Sequence, residues 1–374
     1  GAKGMKAMMQ SNFEGFAQNA YCAAPEKTTK PYDGLSSDRM WSFETGDLDV
    51  LRRHIPEAAV VTPVIFNRTD FKHRDCKTQG TAKGVSPDYV AVENPKLSHG
   101  RYIQQADLRD CRKVCVLGEK MASQLFPNDR NPVGKYIEMQ GIYFQVVGIS
   151  SLTSNVGVGG PASRSVYMPY TTLQRLLGCG DHFDMLALTT RPGHTVSSIQ
   201  RKIELEIKKL HRIDPNDQQA LMSINVESMF QMIQSLFDGI NILVWMIGIG
   251  TLLSGSIGVS NIMMVVVKER TTEIGVRRAL GAHPSHILVQ ILTESAVLTL
   301  LAGLTGIVFA VLILAAADSG IGSNFPSLAP GSFLISFSMA IGSALALSAL
   351  GTVAGVAPAL RALAIKPVDA MRDE

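Results

Sequence analysis

No G-x-x-x-x-G-K-[ST] phosphate loop occurs anywhere in the 374 residues, so the chain lacks the backbone cradle and lysine that hold a triphosphate. H-E-x-x-H and G-x-S-x-G are also missing, the eight histidines are scattered and no cysteine stands in a recognised nucleophile context. These absences argue against zinc-protease and esterase chemistry. Charge is sparse as well: 18% of residues are charged and 46% are hydrophobic. A net charge of +3, with dispersed cations and no basic stripe, excludes nucleic acid as a partner.

Cysteine is scarce and badly placed for metal. Cys111 and Cys115 have C-x3-C spacing, but no second Cys or His pair stands nearby at zinc-site spacing. All five cysteines, Cys22, Cys76, Cys111, Cys115 and Cys179, precede residue 240. An oxidising compartment there permits disulfides, and an odd number leaves at least one thiol over.

The last third of the chain holds what the rest lacks, long apolar runs. Residues 240–267, 287–317 and 333–360 are nearly free of charge, and each is long enough to cross a hydrocarbon core about 30 Å thick. Orientation follows from the cations, which are retained on the cytoplasmic side of short loops. Lys268, Arg270, Arg277 and Arg278 lie between the first two runs, whereas 318–332 carries no Lys or Arg. Segment 268–286 is therefore expected in the cytoplasm, 318–332 outside, and the tail 361–374, with Arg361, Lys366 and Arg372, in the cytoplasm again. Everything before residue 240 is expected outside.

That external part reads as an α/β domain. Asp47 is a plausible N-cap for a short helix that ends before Pro56. Residues 59–66 and 78–85 read as strands around a polar stretch, 68–76, expected as an exposed hairpin tip. Strand 114–117 leads into helix 119–126, and strands 136–139 and 143–149 flank Gln140-Gly141, a tight-turn pair. Glycine-rich 150–163 is expected as a loose connection, without the Lys-Ser/Thr pair that a phosphate loop needs. Strand 165–168, helix 170–177, strand 185–190 and the amphipathic helix 196–210 complete the domain. Residues 1–16 and 226–237 carry Met and Phe at helical spacing and read either as a paired stalk or as ordinary amphipathic helices.

Within the apolar part, three features invite a role. Arg277 and Arg278 share a short helix with Ile274, Val276 and Leu280, closed by Gly281 with Pro284 beyond; such a piece can lie on the membrane face and present charge to a partner. The arginines also anchor topology. Gly250, Ser254 and Gly258, and again Gly351, Gly355 and Ala359, recur every four residues, a spacing that lets helix backbones approach closely in lipid. Glu294 is expected as an interfacial structural acid facing a coupling-segment arginine, since 287–317 exceeds the length of one span.

The stretch GVSNIMMVVVKERTTEIGVRRALGAHPSHILVQILTES resembles the membrane core of MacB/FtsX-type ABC transporter permeases, the mechanotransmission class that includes lipoprotein-releasing permeases. GVSPDYVAVENPKLSHGRYIQQAD, VLGEKMASQLFPNDRNPVGKYIEMQGIYFQVVGI and VYMPYTTLQRLLG resemble the family's periplasmic domain, and APALRALAIKPVDAMRDE its C-terminal signature.

The resemblance implies an α/β extracytoplasmic core domain, 21–223, with an inserted subdomain at about 86–149, and stalk helices at 1–20 and 224–239. It implies a helical transmembrane domain with three spans in this chain where the family has four, the first preceding the opening GAKGMKAMM. It places ATPase coupling on Glu269, Arg270, Glu273, Ile274, Gly275, Arg277, Arg278, Ala279 and Gly281. No cofactor is expected on this chain; ATP and Mg are expected on an ABC ATPase subunit or domain. A homodimer or heterodimer of permeases in the cytoplasmic membrane of a bacterium is implied, with membrane lipid around it and a periplasmic adaptor and outer-membrane channel as further partners. Export or efflux is the implied function. The alternatives are a non-transporting transmitter that activates a cell-wall hydrolase or extracts lipoproteins, and a membrane-anchored ectodomain enzyme.

Overall fold

The structure, a computed structural model, describes residues 15–94, 96–151, 157–324 and 337–363, with side chains described except at 317–340. The chain divides into two compact units along its sequence, between Ser235 and Leu236.

The first unit is built on one twisted sheet. In chain order its elements are β1 (Ala20–Pro25), β2 (Phe43–Glu44), α1 (Thr45–His54), β3 (Ala58–His73), β4 (Cys76–Val85), β5 (Leu97–Gly100), α2 (Gln105–Arg109), β6 (Val114–Gly118), α3 (Glu119–Leu125), β7 (Tyr136–Met139), β8 (Ile142–Ser150), β9 (Ser165–Pro169), α4 (Tyr170–Leu177), β10 (His182–Phe183), β11 (Met185–Thr190), α5 (Val196–Leu210) and β12 (Leu221–Asn225). Ten strands form one sheet in the order β12-β1-β11-β3-β4-β9-β6-β8-β5, with β7 pairing β3 and β8; β2 and β10 pair separately. The pairs β4–β9 and β6–β8 are parallel and the others antiparallel.

Both faces of the sheet are covered, so side chains of alternating residues enter two cores. Tyr21 and Ala23 of β1 join a core with Leu51, Phe71, Met121, Ile203 and Ile207, while Ala20 and Cys22 join another with Val64, Tyr89, Val92 and Tyr167. Helix α5 shows why the first core closes: Val196, Ile199, Ile203 and Ile207 recur at three and four residues and are all buried.

Several expectations change. The polar stretch at 68–76 holds the expected hairpin tip, but the tip is shorter than expected. Pairing of β3 with β4 continues to His73↔Cys76, leaving Arg74, with φ of 52°, and Asp75 as the turn, because Phe71 is buried and holds the strand down. Asp47 is not the N-cap of α1; Glu44 is, and Asp47 at the third helical position accepts a hydrogen bond from the Glu44 amide at 2.8 Å, a capping box. Residues 157–163 are not loose, since Val158, Ala162 and Ser163 are buried. All five cysteines are free. Segment 86–149 contributes β5 to β8 to the main sheet, joined through β6–β9 at Val116↔Tyr167.

The stalk expected over 1–20 lies outside the described residues up to position 14. The described remainder is not helical: Phe16 bridges to Glu93 and β1 begins at Ala20.

The second unit is helical. Helix α6 (Val226–Glu269) is unbroken over 44 residues, followed by α7 (Thr271–Ala279), α8 (Pro284–Asn324) and α9 (Phe337–Leu363). Three of these are long and apolar enough to cross a membrane. Helix α8 runs beyond the expected end at residue 317 to Asn324, through Gly320 and Gly322; no proline intervenes over that stretch. Of the loop expected at 318–332, the part 325–332 lies outside the described residues, and so do residues 364–374 of the tail. The third helix is described from Phe337, not from residue 333.

Candidate functional site

The charged residues between the first two spans meet at one end of the helical unit. Helix α6 ends at Glu269, α7 turns back at once, and Met263 and Val267 of α6 pack with Ile287 and Ile291 of α8 and with Ala359 and Ala362 of α9. Ile274 packs against this cluster and Gly275 is buried beside it.

Around that apolar base runs a chain of polar contacts. Arg270 donates to Glu294 at 3.3 Å, and Gln290 donates to the same carboxylate at 3.2 Å. Arg277 donates to Gln290 at 3.0 Å and to Glu273 at 2.6 Å. Arg278 reaches further, donating at 2.7 Å to the carbonyl of Leu363, the last residue of α9. A cation at a helix C-terminus satisfies a carbonyl the helix leaves open and meets the negative end of its dipole. Helix α7 itself ends in a Schellman motif: Gly281, with φ of +90°, donates to the Arg278 carbonyl and Ala282 to that of Arg277. Glu269 and Ala279 are exposed.

The two small-residue ladders have different fates. Gly351 and Gly355 of α9 face α8, where Ser295 donates to the Gly351 carbonyl at 2.9 Å. A Cβ at Gly351 would lie 2.5 Å from Thr299, and one at Gly355 would lie 2.9 Å from Ser295. Ala359 is buried in the base cluster. By contrast, among the described residues nothing comes within 4 Å of a Cβ at Gly250 or Gly258, and Ser254 is exposed. An apolar groove of about 580 Å³ separates Thr251, Gly255 and Val259 of α6 from Thr299, Gly303 and Gly351 of α8 and α9. Helix α6 is thus held at its base and stands apart above it.

At its other end α6 is built into the sheet unit. Asn225 accepts from the Ser228 amide at 3.0 Å and so caps the helix. Glu227 accepts from the Val196 amide at 2.6 Å, closing the N-terminus of α5. Val226 is buried and Phe230 packs on the second core.

Sequence reasoning missed a buried polar cluster in that core. Lys83 of β4 is 0% exposed and Glu93 1%; they are 3.2 Å apart. The Tyr89 hydroxyl donates to Glu93 at 2.8 Å, and the ammonium lies 5.3 Å from the centre of the Tyr167 ring. Burial pushes the Lys83 ammonium below its ordinary value, against the opposing pull of Glu93, and pushes the Tyr89 phenol up. The Glu93 backbone makes an isolated antiparallel bridge to Phe16, so the pair sits beside the start of the described chain. No sequence pattern marks it: Ala82 to Val85 are all buried because both faces of the sheet are covered, so alternation does not tell Lys83 from a solvent-facing lysine.

Comparison with known proteins accounts for both units. The model of the MacB-like periplasmic core domain matches residues 2–205, and that of the FtsX-like permease C-terminal matches residues 245–367. The macrolide export ATP-binding/permease protein MacB of Acinetobacter baylyi is 30% identical over 331 residues, covering 88% of this chain and 47% of that protein. The pyoverdine export ATP-binding/permease protein PvdT of Pseudomonas syringae pv. syringae is 29% identical over 323 residues, covering 86% and 47%. The periplasmic region of MacB from Actinobacillus actinomycetemcomitans aligns with 60% of this chain and 96% of its own, with a TM-score of 0.47 and 19% identity. The chain spans about half the length of the curated relatives it matches. With a periplasmic-type α/β unit followed by helices long enough to cross a bilayer, it is a multi-pass membrane protein with a periplasmic domain, and it belongs to the MacB/FtsX-type family of ABC transporter permeases.

Proposed function

We propose that this chain is the permease part of an ABC exporter in the inner membrane of a bacterium, coupling ATP hydrolysis on a cytoplasmic partner to movement of its periplasmic domain. The observation that carries the reading is α6, one helix of 44 residues from the edge of the sheet unit to the coupling segment. Both of its ends are fastened, by Glu227 and Val226 at one and by Met263 and Val267 at the other. A helix rising about 1.5 Å per residue carries displacement along its length as long as its backbone ladder is whole.

In this reading the chain binds no nucleotide. ATP and Mg belong to an ABC ATPase subunit or domain that meets the 268–286 segment, and a second permease, identical or related, completes the transporter. The relatives' names join ATP binding to permease and to export, which favours export over force transmission alone, with a periplasmic adaptor and outer-membrane channel continuing the path. The ladder of Gly250, Ser254 and Gly258, open among the described residues, is the surface proposed for the second permease.

The test is to break α6 without touching either end. Met232→Gly with Ile233→Pro, in the full protein reconstituted with its ATP-binding part, costs about 3 kcal/mol or more of local helix stability. Basal hydrolysis is expected to persist while export stops. Undiminished export by a well-folded variant would refute the coupling.

A further inference from the structure

The coupling segment was expected to present its arginines to a partner, yet each of them is turned onto its own chain. Arg270 is on Glu294, Arg277 on Glu273 and Gln290, and Arg278 on the Leu363 carbonyl. Meanwhile two apolar residues on one face of α7, four apart, point away. Val276 is 43% exposed and Leu280 83%. The Schellman motif formed by Arg277, Arg278, Gly281 and Ala282 fixes the end of α7 at Leu280, so the side chain is displayed from a rigid turn.

We propose a division of labour within α7, resting on the coupling reading above. The Val276–Leu280 ridge is the contact that enters an apolar cleft on the ATP-binding partner, and Arg277 and Arg278 are positioning residues that fasten α7 to α8 and to the end of α9.

Two arguments favour this assignment over arginine docking. An arginine would have to give up a carboxylate, amide or carbonyl partner before pairing with another protein, whereas the ridge gives up only water. Burying the ridge also removes apolar surface from water, whereas a solvent-exposed ion pair adds little to association. The partner is an ATP-binding protein because relatives in which this chain spans only about half the length are named for ATP binding and permease together. The brace supplies the second half of the device. A push on Leu280 moves α7, and the Arg278 link to Leu363 passes it to α9, which is locked onto α8 through Ser295 and Gly351.

The experiment places a photo-crosslinking amino acid singly at Val276, Arg277, Arg278 and Leu280 in the full protein in its native membrane, with the adducts read by mass spectrometry. Adducts from 276 and 280 are expected on a polypeptide carrying a G-x-x-x-x-G-K-[ST] peptide, and those from 277 and 278 within this chain. Leu280→Asp is expected to weaken association with that ATP-binding part by about thirtyfold, the scale of an interface hot spot. Arg278→Gln is expected to keep the 280 adduct while lowering ATP-driven activity about fivefold or more, with Arg278→Lys, which still donates to a carbonyl, restoring it.

ATPase adducts from 277 and 278 but not from 276 and 280 overturn the proposal and leave the coupling reading standing. Lipid adducts alone at 276 and 280 also overturn it. Absence of ATPase adducts from all four positions sinks the coupling reading itself.

Discussion

The two units bury opposite kinds of groups. In the sheet unit even a lysine and a glutamate are taken fully out of water, and apolar side chains fill both faces. In the helical unit large apolar side chains such as Trp245, Leu253 and Phe309 are exposed, and the buried contacts are made largely by small residues and a few aliphatic ones at one end. The difference follows from the solvent. In water the apolar face drives packing, whereas lipid is as apolar as leucine and leaves close backbone approach and hydrogen bonds to hold helices together. The contrast recurs inside the helical unit: α8 and α9 are joined through Ser295, Thr299, Gly351 and Gly355, while among the described residues α6 packs on them at its base.

The largest effect should come from the sheet unit. Glu93→Gln leaves the Lys83 ammonium buried without its counter-charge, which costs about 3–5 kcal/mol, whereas Lys83→Met with Glu93→Leu should cost only about 1–3 kcal/mol, from the Tyr89 hydroxyl left without its acceptor. Thermal melting of the full chain, followed through Trp41 in a Trp245→Phe background, measures both. A single variant as stable as the double one would show that the pair is not what holds this core.

Next comes the contrast between the ladders. Gly351→Val drives a side chain into Thr299 and is expected to cost about 1–3 kcal/mol, while Gly258→Val, with open space around it, should change monomer stability by less than about 0.5 kcal/mol. Unfolding in mixed micelles reads the difference. Equal losses would erase the distinction between a locked pair and a free-standing helix.

How much of this was legible in the sequence differs between the units for physical reasons. Helix α4, strand β11 and helix α5 lie where periodicity and turn residues placed them, because each has one buried face and clear punctuation. Strand β1 was invisible: AYCAAP is buried on both faces and shows no alternation, and its partners β11 and β12 lie far along the chain. The charged break at α7 stands out between apolar runs. The direction its arginines take does not, since Arg278 bonds to a backbone carbonyl 85 residues away, and a carbonyl carries no residue identity. The open and closed ladders likewise look alike as sequence and differ only in what stands opposite.

The smallest expected effect is a pH dependence confined to the sheet unit. Burial raises the Asp217 carboxyl, but hydrogen bonds from Thr29, Lys30 and Gln219 outweigh it and hold the group below its ordinary value of 3.8. A depressed carboxylate stabilises the fold above that ordinary value, and the contribution fades as pH falls through the lowered one. Asp217→Asn should therefore cost about 1.5 kcal/mol at neutral pH and lose less stability on acidification than the parent. Parallel curves for the two proteins would show that another group governs the acid limb.

As one mechanical element, α6 is weakest by composition at Asp238-Gly239, just past the boundary between the units. Hydrogen exchange of the full protein in lipid, resolved along Val226–Glu269, tests this directly. Protection is expected to continue through residues 236–241, with the amides there exchanging as slowly as those on either side. Fast exchange confined to those residues would mean a hinge in the helix, and would contradict transmission along it.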